Sequence, residues 1–187
     1  MDTLLKTMSG LLVVLNEDRQ IVAMNHAFLE AIGITDAEKI LGLRLGESLN
    51  CRHAQKEPDG CGTTPYCITC GAVIATMAAL QGNKTDEQIC ILASEKDGVK
   101  RDICLSIRAQ PIKIEDSRWI LIFAQDITQQ QFWTNMERVF FHDVNNMLTS
   151  LLGNSELLLL ELPDNKQAEQ IKKASERLHN EIKIQKS

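Results

Sequence analysis

No run of apolar residues approaches the roughly 18–20 needed to span a bilayer; the longest, "LLVVL" (Leu11–Leu15) and "WILIFA" (Trp119–Ala124), are strand-sized. The N-terminus lacks a basic-then-apolar secretory pattern, which predicts a cytoplasmic protein with no membrane span. Basic residues are not in excess: the net charge of −5 gives no electrostatic reason to bind nucleic acid or an anionic membrane. No glycine-rich phosphate loop of the Walker type occurs. What remains is a chain of 187 residues, 44% hydrophobic and 24% charged, a globular composition with room for one substantial core or a domain plus a helical appendage.

Periodicity divides it. Through residue 128 the pattern is short strands and turns. "LLVVL" and "IVAMN" (Ile21–Asn25) flank the turn "NEDRQ" and predict a hairpin. A short helix follows from His26, with Phe28, Leu29 and Ile32 at helical spacing and Gly33 as its stop. "TDAE" (Thr35–Glu38) reads as a capping box for another. "GAVIATMAALQG" predicts a helix ended by Gly82, and three strands come after it: "EQICILASE", "KRDICLSIRAQPI" and "RWILIFAQDI". Asp97-Gly98 is a hairpin turn between the first two, and Pro111 is expected at its strand's end.

From residue 129 the period is helical. Thr128 with Gln131, and Asp164 with Gln167, read as capping boxes, and "LPDN" around Pro163 separates two long helices in an antiparallel hairpin. Phe140, Val144, Met147, Leu151 and Leu158 form one apolar stripe, widened by Phe141, Leu148, Leu152 and Leu159. So broad a stripe calls for more than one partner helix, which predicts a homodimeric four-helix bundle.

Residues 1–128, by strand order, by Asn25-x-x-Phe28 and by the closing "DIT" (Asp126–Thr128), resemble a PAS domain. The resemblance implies an α+β sensor fold: a five-stranded antiparallel sheet with short helices, here carrying a cysteine-rich insertion at residues 50–71. Residues 129–187 carry "HDVNN" early in the first long helix, on the side away from the apolar stripe. Phosphoryl acceptance by an imidazole needs an exposed ring nitrogen and a neighbouring carboxylate. His142-Asp143-x-x-Asn146 resembles the phosphoacceptor box of sensor histidine kinases, with Met147 where many such boxes carry proline. The resemblance implies that His142 is phosphorylated, that Asp143 is the acid/base and that Asn146 serves phosphatase action on a response regulator receiver domain. It also implies an ATP-binding kinase domain in a longer protein. The chain supplies no such domain and is expected to be inactive by itself.

Six cysteines in a reducing compartment point to metal or redox chemistry. Four are spaced Cys51-x9-Cys61-x5-Cys67-x2-Cys70, among Gly60, Gly62, Gly71, Pro58 and Pro65. Four thiolates suit a tetrahedral zinc site or an iron–sulfur cluster, and the irregular spacing leaves both open. His53 could replace one thiolate; independent thiols and a metal-free Cys67/Cys70 dithiol are the other readings. Gly71 after the C-x-x-C excludes c-type haem attachment. "NCRHAQ" is similar to the "NCRFLQ" of LOV photoreceptors, but flavin binding there needs strand amides. Ala93 and Asp102 stand at such positions, and Gln125 adjoins Asp126, which turns it to the other face. Cys90 and Cys104 lie in apolar strand patterns and read as small core residues. The function expected is therefore the sensor and phosphoacceptor portion of a two-component histidine kinase, sensing redox state, oxygen or metal. The alternative is a non-enzymatic PAS interaction module with structural zinc.

Overall fold

The computed structural model describes residues 10–96 and 98–185, in two compact units that meet at Gln129 and Gln130. In the first unit β1 (Leu11–Leu15) and β2 (Ile21–Met24) form the hairpin. Asn16 closes it, its side chain accepting from the Gln20 amide while Arg19 takes a left-handed φ of 66°. Helix α1 (His26–Ile32), a 3₁₀ turn at Ala37–Lys39, the short α2 (Leu45–Ser48) and a 3₁₀ turn at Pro65–Thr69 lead to α3 (Gly71–Gly82). Strands β3 (Asp86–Lys96), β4 (Val99–Ile114) and β5 (Ser117–Asp126) complete an antiparallel five-stranded sheet ordered β2-β1-β5-β4-β3. This is the PAS-like sheet with short helices that the element order predicts. Asp97 of the expected β3–β4 turn lies outside the described residues; Gly98 beside it has a φ of 77°.

One face of the sheet carries the core. Val13, Leu15, Leu105, Ile107, Ile120 and Ile122 alternate inward and meet Phe28, Ala75 and Ala79 from the helices. Asn25 fastens this layer. It is 2% exposed, its Oδ1 accepts from the amides of Leu12 and Phe28, and its Nδ2 donates to the Gly10 carbonyl. One side chain thus caps α1 and ties it to the start of β1.

Local details differ from expectation where a tertiary partner competes. Pro111 is not terminal: β4 continues to Ile114, but β3 begins opposite Ala109, so beyond that point β4 has one open side where a missing donor costs little. Gly82 is the last helical residue and Asn83 takes the left-handed cap position. Asp36, not Thr35, caps the first 3₁₀ turn. Cys104 is partly buried and outside the core, because Leu105 and Ile107 of the same strand own the inner face.

The second unit is built on α4 (Thr128–Glu161) and α5 (Lys166–Gln185). The Thr128/Gln131 box does not form, because the Thr128 hydroxyl accepts instead from the Cys104 amide, 2.9 Å away. Asn165, not Asp164, caps α5, accepting from Gln167 and Ala168. Leu148 and Ser155 of α4 are buried with Ala168 and Ser175 of α5, and Lys172 bridges to Glu156 at 3.0 Å. The hairpin leaves Trp133, Phe140, Met147 and Leu151 exposed. Among the described residues no helix is long and apolar enough to cross a membrane.

Replacing Asn25 by Ala leaves one carbonyl and two amides short of partners in a closed environment. A loss of about 3 kcal/mol is expected in urea unfolding of the chain. A loss below about 1 kcal/mol would show that the cap is dispensable.

Candidate functional site: a cysteine-walled cavity and an exposed histidine

The cysteine segment begins on β3. Cys51 bridges Ser94, the Arg52 amide donates to the Ala93 carbonyl, and the Glu95 amide donates to the Asn50 carbonyl. The segment leaves the sheet, returns through the turn at Pro65–Thr69, and ends where α3 starts against the same strand. Gly71 makes that return possible, since a Cβ there would run into the Ile89 carbonyl oxygen.

Between its ends the segment is braced by α2. The Glu47 carboxylate accepts from the Arg44 amide at 2.9 Å and from the Cys61 amide at 3.1 Å. The Arg44 guanidinium donates to the carbonyls of Asp59 and Cys61. Gly60 takes a φ of 76°, which L side chains rarely adopt, and a Cβ there would push the Glu47 carboxylate away from the Cys61 amide. Gly46 does the same for the thiols, because a Cβ there would meet the Cys61 sulfur and crowd Cys51.

The result is a cavity of about 400 Å³ between the sheet, α1 and the segment, and Cys51, Cys61, Cys67 and Cys70 all line it. Most of the remaining wall is apolar, with Arg19 and Arg44 as its cationic members. Among the described residues no three His, Cys, Asp or Glu side chains converge closely enough to hold a metal ion as they stand. The four cysteines share a cavity without meeting at a point, and all six cysteines of the chain are free thiols. His53 does not line the cavity. Its ring stacks on Tyr66 with centroids 4.2 Å apart, and its Nε2 meets Arg52.

The thiols are electrostatically unequal. Burial pushes Cys61 up to about 11, and the neighbouring sulfurs of Cys67, Cys70 and Cys51 add to the shift against the Gly46 amide. Burial likewise raises Cys51. Cys70 goes the other way, down to about 6, because Cys90 hydrogen-bonds its sulfur, with help from the amides of Val73 and Ala72 at the start of α3. Cys90 is correspondingly pushed up by that hydrogen bond and by burial. Soft donors that repel one another in an apolar wall are the chemistry a thiophilic cation would relieve, so Cys51, Cys61, Cys67 and Cys70 are the residues that could hold one.

On α4 the His142 side chain is 71% exposed. Its Nδ1 lies 3.2 Å from Asp143 Oδ1 and 3.3 Å from the Asn146 side-chain amide, one turn along. A carboxylate can only accept, so Nδ1 carries the proton and Asn146 must turn its oxygen toward the ring. The lone pair is then on Nε2, which has no hydrogen-bond partner among the described residues. Arg19, Arg44 and Glu47 went unnoticed in the sequence, and Cys90 was read only as a small core residue. Arg44-x-x-Glu47 has the spacing of a capping box but not its usual first residue, and only that spacing could have pointed to it.

No protein-family model matches the sequence, and no curated protein matches it. The structural neighbours are PAS domains, some of them from sensor histidine kinases. The PAS domain of nitrogen regulation protein NR(II) from Vibrio parahaemolyticus is 16% identical, with 67% of this chain and 96% of that one covered at a TM-score of 0.45. A PAS domain from a two-component sensor histidine kinase is 10% identical, covering 67% and 91% at a TM-score of 0.46. An RNA-binding light-oxygen-voltage receptor is 16% identical, covering 68% of this chain and 32% of that one at a TM-score of 0.48.

The unequal thiols make a pH-resolved labelling order. In metal-free protein, iodoacetamide should modify Cys70 with a midpoint near its value of about 6, and Cys61 only as the pH nears about 11. The thiolate is the reactive form, so each rate rises with pH through the respective value. Peptide mass spectrometry reads both; equal midpoints for the two residues would refute the ordering.

Proposed function

We propose that the protein is the sensor and phosphoacceptor portion of a two-component histidine kinase, a PAS-class sensor with a four-cysteine metal centre joined to a phosphotransfer hairpin. The observation that carries the phosphotransfer part is the arrangement at His142: an exposed ring, Nδ1 held by Asp143 and Asn146, Nε2 free to react. Nε2 attacks the γ-phosphoryl group of ATP as the bond to ADP breaks, and Asp143 takes the Nδ1 proton as the phosphoramidate forms. Asn146 then orients water, or stands aside, when a response regulator receiver domain docks over the same exposed face. The ATP is presented by a nucleotide-binding domain belonging to a longer kinase.

The homodimer follows from what the hairpin leaves uncovered. Phe140 and Met147 are 60% and 65% exposed, and with Leu151 and Leu158 they run along α4 on a face that α5 does not cover. A second copy packed there would complete a four-helix bundle.

For the sensor, Cys51, Cys61, Cys67 and Cys70 would hold zinc or an iron–sulfur cluster. A metal held by these residues would tie the two ends of the cysteine segment together, and that tie would depend on redox state or metal supply. The chain's own residues carry the consequence onward. β5 runs into α4 through Asp126, which accepts from the Thr128 amide, while Ile127 and Thr128 engage both the carbonyl and the amide of Cys104 on β4. A loop that repacks against this sheet biases the start of α4.

Two measurements decide. Chain incubated with ATP and an isolated kinase nucleotide-binding domain should gain acid-labile phosphate; His142→Gln should abolish it, and Asp143→Ala should slow it about 100-fold. Labelling of His142→Gln at the wild-type level would leave the non-catalytic interaction module as the reading. Anaerobic purification followed by iron, sulfide and zinc analysis should find one centre per chain, lost in Cys61→Ser. Metal-free wild-type protein from anaerobic, metal-supplemented cells would remove the centre.

A further inference from the structure

Cys70 and Cys90 come together for a topological reason. Helix α3 starts flush against β3 because Gly71 lets its first turn reach the Ile89 carbonyl, and the residues flanking that contact on the two elements, Cys70 and Cys90, therefore face one another. Their sulfurs are 3.7 Å apart. Cys70 lines the cavity, whereas Cys90 is 2% exposed, belongs to the core and lies behind Cys70 with no share in the cavity wall. Cys67, the other half of the C-x-x-C, is committed elsewhere: its sulfur lies 3.2 Å from the Thr64 hydroxyl.

We propose that Cys70 and Cys90 form a disulfide when the protein meets a hydroperoxide, so that the oxidisable partner of Cys70 is the strand cysteine and not its C-x-x-C neighbour. In the first step the Cys70 sulfur attacks the distal oxygen of the peroxide. The O–O bond breaks, the peroxide leaves as an alcohol or water, and Cys70 becomes a sulfenic acid. In the second step the Cys90 sulfur attacks the Cys70 sulfur, the S–O bond breaks, and water leaves with the Cys90 proton. The peroxide is reduced by two electrons and the thiol pair oxidised by two. The sulfurs must close from 3.7 Å to about 2.05 Å, a displacement within reach of side-chain rotation at Cys70, which sits at a helix terminus beside open space. The apolar wall suits a small uncharged peroxide, which reaches Cys70 first because Cys90 is shielded by it.

A consequence rests on the metal reading of the previous section, although the disulfide does not. Cys70 joined to Cys90 can no longer donate as a thiolate, so peroxide would release a metal held by the four cysteines.

The test uses the whole chain, reduced and metal-free, treated with tert-butyl hydroperoxide, alkylated and digested without reduction. Expected are a Cys70–Cys90 linked peptide and a loss of two titratable thiols per chain. In Cys90→Ser the link disappears and Cys70 becomes trappable by dimedone, while Cys104→Ser links as wild type does. A dominant Cys67–Cys70 peptide, or Cys70 and Cys90 both recovered alkylated, overturns the proposal. The wild-type peptide map decides even where Cys90→Ser does not fold. A parallel assay on metal-loaded protein, with a chromogenic chelator, separates the two readings. Disulfide formation in a chain that never binds metal upholds the cysteine pair and removes the metal centre.

Discussion

Strand β3 holds both ends of the cysteine segment, and the geometry of the cavity follows from that constraint. At one end Cys51 bridges Ser94, with backbone hydrogen bonds on either side of it. At the other, Gly71 brings the start of α3 against Ile89. A loop anchored twice on one strand can only arch over the sheet's face, and the start of α2 stiffens the arch through two hydrogen bonds, the Cys61 amide donating to Glu47 and Arg44 donating to the Cys61 carbonyl. Each such bond contributes on the order of 1 kcal/mol. Their larger effect is geometric: they fix the Cys61 backbone, and with it the direction from which its thiol enters the cavity.

The thiols differ in how readily they ionise. Cys61 is held up near 11 by burial in an apolar wall and by three other sulfurs, while Cys70 is brought down to about 6 by the thiol of Cys90 and the first amides of α3. One cavity thus contains a thiol that resists ionisation and one that favours it. A cation in the cavity would reverse the first condition and reinforce the second, and oxidation at Cys70 would act on the second alone. Under the two proposals, a metal would act on all four side chains and oxidation on Cys70 alone, with Cys90 as the residue that distinguishes them.

At the end of β5, beside the same cavity, main-chain groups of Cys104 engage the residues that lead into the long helix. The Cys104 carbonyl accepts from the Ile127 amide and the Cys104 amide donates to the Thr128 hydroxyl, so the β4–β5 pairing runs on past Asp126. Within the second unit, the polar and apolar sides of α4 have separate work. His142, Asp143 and Asn146 present a hydrogen-bonded imidazole to solvent, and Phe140, Met147 and Leu151 present an apolar strip that the hairpin leaves exposed.

Much of this was legible in the residues. Strand-sized apolar stretches marked the strands of the sheet, the helical spacing of Phe28, Leu29 and Ile32 before Gly33 marked α1, and the period of 3.6 placed His142 on the polar side of its helix. These are local properties, set by steric and hydrogen-bonding preferences over a few neighbouring residues. Where a local rule failed it was outbid by a distant partner: Thr128 spends its hydroxyl on Cys104 rather than on its own helix. Cys90 is the small core residue its strand pattern predicted, but that pattern carried no sign that its sulfur lies 3.7 Å from Cys70. By itself the sequence determined the order of elements, the exposure of the histidine and the identity of the thiols. Only the tertiary structure decided that the four cysteines share one cavity, that His53 turns away to stack on Tyr66, and that Cys70 faces Cys90. The reason is that those relations are made where the cysteine segment folds back on itself and where α3 starts against β3, and no spacing along the chain encodes a distance across it.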